Sequence, residues 1–543
     1  MIKFLCAPSA KSPGVFIVAI KNCVQSRFLI FLCAFSWAWA QVSDQEWKQI
    51  KAQFEKDFTQ DNPDTPVKAI QSLGKADRIE ASQICFSIIS APDQRILALE
   101  QEKEKMLPQW LKERDRVTQI ASKNFGMLSE GDLAQFKKVE SQLQEIQQKI
   151  AMASLIPFAA SDTLKKAKNL EHLDFLLAKG WTHKNWRVQV ASIEAFQKIE
   201  VDINKLRPFL EKALKDQESP IRSTACDTFA SLKCFEALES IYPLLEDEAW
   251  QVRASAFKAL GMLPHEKSIP LLIQHLEKEE GRLRQDAEEA LQKITGKTFH
   301  TNVALWRSWL QLHPDFKVAY GEKPKATNQD PKENQDPKEN PAKLDPPVAP
   351  EKNNKAPVTQ YYGIETYSKR LLFILDISGS MNEPLGTGGE TKIEGAKKEL
   401  KTAITSLDPD VEFLLLIYSD TVKAWQNKLM KASKTNKEAI FRFIDALQAD
   451  GGTNIYDALQ QGFYLAGRGS FDKSYDISVD TIFFLTDGEP TAGTFIDPEK
   501  ILWSVQEWNK LRKIQIHAIG VGQHARSFME RLATQNQGKY VKR

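Results

Sequence analysis

Cysteine is scarce and poorly placed for a covalent framework. The 543 residues hold six, and three of them (Cys6, Cys23, Cys33) lie in the first forty. The others, Cys85, Cys226 and Cys234, show no CxxC spacing, which excludes a disulfide scaffold and a thiolate zinc site and leaves hydrophobic burial to hold the chain. Charge of one sign is lacking too: 73 Lys and Arg face 71 Asp and Glu, a net +2. No general field is available to hold nucleic acid or anionic lipid. GxSxG, HExxH, Walker A and GxGxxG are all absent, which removes the common nucleophile-elbow, zinc-protease and phosphate-loop chemistries. The eight histidines are scattered, and His517 sits inside an apolar run, the setting of a core imidazole. These absences lead to the expectation of a non-enzyme.

What is present begins with an address. Arg27 precedes the apolar run Phe28–Trp37, and Ala38-Trp39-Ala40 follows before the polar Gln41-Val-Ser-Asp. A base, an apolar run of about a dozen residues and an A-x-A site make a secretory signal, with 1–40 removed and the remainder exported to the periplasm, cell surface or exterior. An uncleaved N-terminal anchor is the alternative. Leu32 before Cys33 does not fit a lipobox. The leader carries four bases and no acid; without it 69 bases face 71 acids.

Residues 41–165 form a helical, highly charged region. Leu133, Phe136, Val139, Leu143, Ile146 and Ile150 recur at steps of three and four, one apolar stripe on a helix. A helical hairpin is the favoured reading, with a short coiled coil as the alternative.

Over 166–318 the chain repeats itself. Val188, Ile221, Val252 and Leu283 open matching helices 33, 31 and 31 residues apart. Eight positions on stand Phe196, Phe229, Leu260 and Leu291, while small residues (Ser192, Ala225, Ala256, Ala287) take the fourth column. Pro208-Phe-Leu, Pro243-Leu-Leu and Pro270-Leu-Leu mark a partner helix in each unit, and Trp306 and Trp309 close the array. Two helices per ~31 residues stack into an α-solenoid. This region resembles the HEAT-like repeats, whose surfaces often serve as docking faces; a passive spacer is the alternative.

Residues 319–360 are a linker. Gln-Asp-Pro-Lys-Glu-Asn occurs twice in tandem at 329–340, followed by Leu344-Asp-Pro-Pro-Val-Ala-Pro350. With little to bury and few backbone donors, it is expected to be disordered and to tether two separate bodies.

In 361–543, four continuous apolar runs (369–375, 413–418, 481–486, 514–519) alternate with amphipathic patterns at 392–407, 434–447, 455–466 and 497–510. That alternation describes an α/β domain with a buried parallel sheet, doubly wound and Rossmann-like. Ligands of such sheets sit at the carboxyl edge, where Asp376 and Asp487 each follow an apolar run. The motifs are Asp376-Ile-Ser378-Gly-Ser380-Met, Gly451-Gly-Thr453-Asn-Ile-Tyr-Asp457 and Leu485-Thr-Asp487-Gly-Glu-Pro490.

This set resembles the von Willebrand factor A (vWA) family, whose metal-ion-dependent adhesion site (MIDAS) has the pattern DxSxS…T…D. The resemblance implies hydroxyl ligands from Ser378, Ser380 and Thr453, with Asp376 and Asp487 acting mainly through coordinated water. It implies Mg²⁺, with Mn²⁺ or Ca²⁺ as alternatives, and a protein partner that offers a Glu or Asp carboxylate. Hard oxygen donors suit such an ion, and neutral hydroxyls leave it electrophilic. Gly379, Gly451 and Gly452 are expected to allow the close turns. Asp457 is expected to orient the Thr453 loop, and Glu489 to stand at the rim.

The whole chain is therefore expected to be an exported, non-catalytic interaction protein. One alternative makes the solenoid the main binding surface of an assembly scaffold. The other is a metal-assisted hydrolase. A DxDxT phosphatase would need a second acid at 378, where serine stands.

Overall fold

The structure is a computed structural model that describes residues 42–60, 64–90, 94–123, 129–166, 170–198, 202–318, 359–386, 389–467 and 478–543. The expected leader and almost all of the linker lie outside the described residues. No described helix is long and apolar enough to cross a membrane.

Six helices build the first region: α1 (Asp44–Phe58), α2 (Asp64–Leu73), α3 (Ile79–Ser90), α4 (Gln94–Lys123), α5 (Glu130–Ser154) and α6 (Ile156–Leu164). Ser43 and Glu46 form a capping box at α1, and Ser129 caps α5, satisfying amides the first turn leaves free. α4 and α5 pack side by side. Arg116 of α4 joins Glu113 (2.8 Å) to Asp132 of the next helix, and the Gln135 amide donates to Glu113. Of the α5 stripe, Val139, Leu143 and Ile146 are buried, whereas Leu133 is exposed. The stripe is covered best along the middle of α5, with Phe136 and Ile150 on either side half-buried.

The repeat region contains α7 (Leu170–Phe175), α8 (Trp186–Phe196), α9 (Ile203–Ala213), α10 (Ser219–Ser231), α11 (Leu238–Ile241), α12 (Trp250–Met262), α13 (Ser268–Lys278), α14 (Gly281–Thr295) and α15 (Val303–Leu312). The repeated columns place α8, α10, α12 and α14 in one row, each beginning two residues before the conserved-spacing position. Phe196, Phe229, Leu260 and Leu291 are fully buried, as are Ser192, Ala225, Ala256 and Ala287. The small residues are what let the row close up. A Cβ at Gly180 would already sit 2.2 Å from the Ser192 hydroxyl.

The partner helices are less uniform than the sequence pattern suggests. Pro270 lies in the first turn of α13, where its missing N–H has no role, but in the middle unit only the four-residue α11 forms, flanked by 3₁₀ turns at 235–237 and 242–246. Pro243 cannot donate back to the preceding turn, so the helix stops there. Trp306 and Trp309 of α15 are buried edge to face and close the array.

The C-terminal body is built on a seven-stranded sheet. Its strands are β3 (Arg370–Asp376), β4 (Glu412–Tyr418), β5 (Val422–Ala424), β6 (Met430–Lys431), β7 (Thr481–Thr486), β8 (Gln515–Gly520) and β9 (Tyr540–Lys542), preceded by a small hairpin of β1 (Thr359–Tyr361) and β2 (Ile364–Thr366). The order is β5-β4-β3-β7-β8-β9, parallel from β4 to β9, with the short β5 and β6 antiparallel to β4. The helices are α16 (Lys392–Ser406), α17 (Lys434–Asp445), α18 (Ile455–Ala466), α19 (Pro498–Asn509) and α20 (Arg526–Gln535).

Alternate residues of β3 enter opposite cores. Leu371, Phe373 and Leu375 pack with α16 and α17, while Leu372 and Ile374 join the core that contains α18, α19 and α20. Because β3 lies between β4 and β7, the winding reverses beside it. That is where an open α/β sheet leaves a crevice at its carboxyl edge.

The linker suggests two separated bodies; the structure instead docks them. The second core runs on without a break into the solenoid. Arg282 of α14, 2% exposed, donates to the carbonyls of Lys513 (2.7 Å) and Asp480 (3.3 Å) and to Gln537 Oε1 (3.0 Å). Lys513 pairs with Asp227, Lys510 with Glu194 (3.3 Å), and the Trp503 indole donates to Asp162 (2.9 Å). Glu194, Asp227 and Lys258 each stand six residues after a repeat start, and all three line a cleft of about 490 Å³ against Glu507, Lys510 and Lys513. The solenoid thus meets the C-terminal body through a ladder of equivalent positions. Periodicity within one segment cannot reveal that its acids match lysines three hundred residues away.

The polar part of the docking lies at one edge of the sheet. Asp480 and Lys513 stand one and two residues before β7 and β8, and the Arg370 guanidinium at the start of β3 lies 5.7 Å from the Trp250 ring. All three points belong to the amino edge of the sheet. The solenoid therefore covers the edge opposite Asp376 and Asp487.

Candidate metal centre

β3 ends at Asp376, β7 at Thr486 just before Asp487, and β4 at Tyr418. Parallel pairing in register (Asp376 opposite Tyr418, Leu375 opposite Leu485) brings these ends to one level. Asp376 is fully buried. Its Oδ1 accepts from the Ser378 amide (2.8 Å), and its Oδ2 accepts from the hydroxyls of Thr486 (2.7 Å) and Tyr418 (3.2 Å). Burial pushes the Asp376 carboxyl upward, opposed by the Thr486 and Ser378 hydrogen bonds, with the charge of Asp487 adding to the rise. Burial also pushes the Tyr418 phenol far up, so it stays a donor.

The loop after β3 enters a 3₁₀ turn over Gly379–Asn382. The Ser378 and Ser380 hydroxyls lie 3.2 Å apart, and the Ser380 hydroxyl donates to Asp487 Oδ1 (2.8 Å). Ser378 and Asp487 are buried, whereas Ser380 is half-buried.

Thr453 arrives from a third loop that is tied on both sides. The Gly379 amide donates to the Gly451 carbonyl (2.9 Å) and the Asp450 amide to the Ile377 carbonyl (2.9 Å), stitching this loop to the first. The Thr453 amide donates to the Thr491 hydroxyl (2.9 Å), and the Thr491 amide returns to the Thr453 carbonyl. Gly451 has φ +79°, and a Cβ there would stand 2.3 Å from Asp420 Oδ2, so glycine is required on both counts. Thr453 is buried, and its hydroxyl lies beside Gly488, the residue after Asp487.

All five candidate ligands therefore gather at the carboxyl edge. Asp457 accepts from the Asn454 side chain (2.8 Å) and the Thr494 amide (3.3 Å); it braces the Thr453 loop, as expected. His517 is fully buried and stacked on Phe483 at 4.9 Å. Its Nδ1 accepts from the Lys539 amide, and burial lowers its pKa to about 3. It is a neutral core imidazole remote from this edge.

Two features were not legible in the motifs. Lys392, the first residue of α16, places its ammonium 2.8 Å from Asp487 Oδ2 and 2.7 Å from Glu383 Oε2. Its side chain is only 7% exposed. Burial alone would lower its pKa, but Asp487 and Glu383 outweigh it and hold it raised, hence charged. The signal was a lysine at a helix start, which resembles an ordinary solvated residue. The second feature is flanking acid. Asp420 accepts from the Gly452 amide (2.8 Å), and Glu140 of α5 is pushed upward by burial and by the charge of Asp420. Gln144 and Gln148 of α5 also line a cleft with the loop 493–497, so the helical hairpin stands along one flank of the centre.

Among the described residues no group of three His, Cys, Asp or Glu side chains is arranged to hold a metal. Any cation here depends on the hydroxyls. The donor set nonetheless fits a hard cation: every donor is oxygen, and one carboxylate of the set already bonds a cation, the Lys392 ammonium.

The family comparison agrees with this geometry. Residues 369–542 match the model of the von Willebrand factor type A domain, and residues 206–292 match that of HEAT repeats. The C-terminal body is a von Willebrand factor type A domain. The helical array before it carries HEAT repeats.

Similar proteins include human inter-alpha-trypsin inhibitor heavy chain H2, 29% identical over 180 residues, and human heavy chain H4, 32% identical over 178. Each alignment takes in 32% of this chain and 18% of the relative, so the chain spans under a fifth of the curated relatives it matches. Among solved structures, a von Willebrand factor type A protein from Catenulispora acidiphila is 22% identical, with a TM-score of 0.28 over 33% of this chain and 39% of that one. The PilB minor pilin from Streptococcus sanguinis is 18% identical, with a TM-score of 0.25 over 32% and 56%.

Proposed function

We propose that the chain is an exported, non-catalytic protein-binding molecule whose vWA domain takes a divalent cation and, through it, an acidic residue of a partner. Ser378, Ser380 and Thr453 are the hydroxyl ligands, and Asp376 and Asp487 the charge-balancing acids. Mg²⁺ suits the set best, with Mn²⁺ and Ca²⁺ as alternatives. Such an ion supplies an electrophilic face for a Glu or Asp carboxylate. The observation that carries this reading is the convergence of three loops at the one sheet edge the solenoid leaves clear.

Electrostatics adds an order of events. Asp376, Asp487, Glu383 and Asp420 surround the centre, and Lys392 is already shared between two of them. An acidic partner residue meets repulsion unless a divalent cation arrives first.

The solenoid as main binding surface is the second reading. It must use faces other than the α8–α10–α12–α14 row where that row meets the vWA domain. For the hydrolase reading, no imidazole is bonded to the five candidate ligands among the described residues, and His524 is near enough to feel the charge of Asp487.

The test is thermal unfolding of the chain with and without Mg²⁺ or Mn²⁺, beside Asp376→Ala. A ligand that binds only the folded state at a hundred times its Kd adds about 2.7 kcal/mol. The wild-type midpoint rises with the cation and that of the variant does not. Equal responses in both proteins refute the site.

A further inference from the structure

We propose that Lys392 is a resident counter-cation of the metal centre: it competes with the divalent ion for Asp487 and sets how tightly that ion is held. The inference rests on the metal reading above and adds a residue that the ligand motif does not contain.

The position of Lys392 is built, not incidental. It opens α16, whose N-cap Thr391 forms a capping box with Glu394. A helix N-terminus disfavours a cation, so this lysine is held against its own helix by something else. That something is the pair of carboxylates, Asp487 at 2.8 Å and Glu383 at 2.7 Å. Room for the stem comes from Gly522 (φ +64°), where a Cβ would stand 2.9 Å from Lys392 Cε and 3.5 Å from Nζ. The Lys392 amide also donates to the Glu383 carbonyl (3.0 Å), which fixes the distance between the ammonium and its second carboxylate.

The two carboxylates are unlike. Asp487 is fully buried, whereas the Glu383 side chain is 66% exposed. The ammonium therefore bridges an inner acid and an outer one, within reach of both. With Lys392 on Asp487, the two ligand acids and the lysine leave one net negative charge; with Lys392 withdrawn, they present two. A divalent cation beside Asp487 repels the ammonium, which retains Glu383 as its partner at the surface. The cation must displace that contact or bind against its field, and either requirement lowers affinity.

The experiment is isothermal titration calorimetry of the chain with Mg²⁺ as probe. It compares wild type with Lys392→Gln, Lys392→Arg, Glu383→Gln and Asp376→Ala. Lys392→Gln, which removes the charge, binds Mg²⁺ tighter by on the order of tenfold. Lys392→Arg, which keeps it, stays near wild type. Glu383→Gln, a surface change with little bearing on folding, binds more weakly, because the ammonium then has only Asp487. If Lys392→Gln and Glu383→Gln both bind as wild type does, or if Lys392→Gln binds more weakly, Lys392 is only a structural or positioning partner of Asp487 and the inference is overturned. If wild type, Lys392→Gln and Asp376→Ala all show no binding, the metal reading itself fails and this one with it.

Discussion

Arg282→Met is the sharpest probe of how the solenoid and the vWA domain are joined. The guanidinium is 2% exposed and satisfies two carbonyls, one amide oxygen and the Asp286 carboxylate (2.9 Å). Removing one partner from a buried ion pair costs about 3–5 kcal/mol, because the stranded charge keeps its desolvation penalty. Asp286 limits that penalty, since burial has already pushed its carboxyl up to about 6 despite Arg282. A carboxyl raised above its unfolded value contributes stability below the unfolded pKa and loses it as pH rises through the folded one. Without Arg282 the folded pKa climbs further, so the variant suffers more at pH 8 than at pH 5. Urea unfolding followed by tryptophan fluorescence should show a loss of about 3–5 kcal/mol near neutrality, shrinking toward pH 5. Adding Asp286→Asn should recover part of the loss at pH 8. A loss under about 1 kcal/mol, the figure for an exposed pair, or one that does not change with pH, refutes the buried-clamp account.

Two further predictions concern the vWA sheet. His517, with a folded pKa of about 3, contributes stability above its unfolded value near 6.5, and that contribution is lost as pH falls from there toward 3. The stake is about 3 kcal/mol by pH 4. His517→Asn, which keeps an acceptor for the Lys539 amide, should flatten acid unfolding over that window; parallel curves for the two proteins would contradict it. Gly538→Ala places a Cβ 1.7 Å from the Ile516 carbonyl oxygen and 2.9 Å from the His517 amide nitrogen. Both belong to β8, a strand paired on both sides, so a loss of about 3 kcal/mol or more is expected, and a variant that melts with wild type would mean the strand can yield.

The fold was legible wherever a pattern repeats locally. The four apolar runs became β3, β4, β7 and β8 to within a residue, and 455–466 became α18 with the same bounds. The repeat columns gave the helix row because burial imposes the same residue sizes at the same spacing in each unit. The short β5, β6 and β9 were not legible, since strands of two or three residues carry no periodicity of their own. Pro243 marks a partner helix, as the pattern suggests, but its chemistry cuts that helix to four residues. At the carboxyl edge the fold brings the five motif residues into neighbouring loops, because each follows a strand or glycine turn whose geometry the sequence announces. Lys392 was invisible for the opposite reason: its partners, Glu383 and Asp487, lie 9 and 95 residues away, and only the folded loop joins them.

The docking also bears on what the solenoid is for. A passive spacer needs no buried arginine that reaches three acceptors on the domain it spaces, and a tethered pair of bodies needs no ion pairs between them such as Glu194 with Lys510 and Asp227 with Lys513. Glu194 shows what the ladder contributes. Burial would raise its carboxyl, but Lys510 and Lys165 reverse the shift and hold it ionised. Lys510 in turn shares Glu194 with Glu507 (2.8 Å). Each of the two therefore has one partner on its own body, Lys165 (3.2 Å) for Glu194 and Glu507 for Lys510, and one across the interface. The amino edge of the sheet is thus fixed by the repeats, and the carboxyl edge, with its hydroxyls, two acids and one lysine, is the face turned away from them. A solenoid docked in this way is fastened to the amino edge of the vWA sheet through Arg282 and the lysines at 510 and 513, and it leaves uncovered the opposite edge, where the five candidate ligands lie.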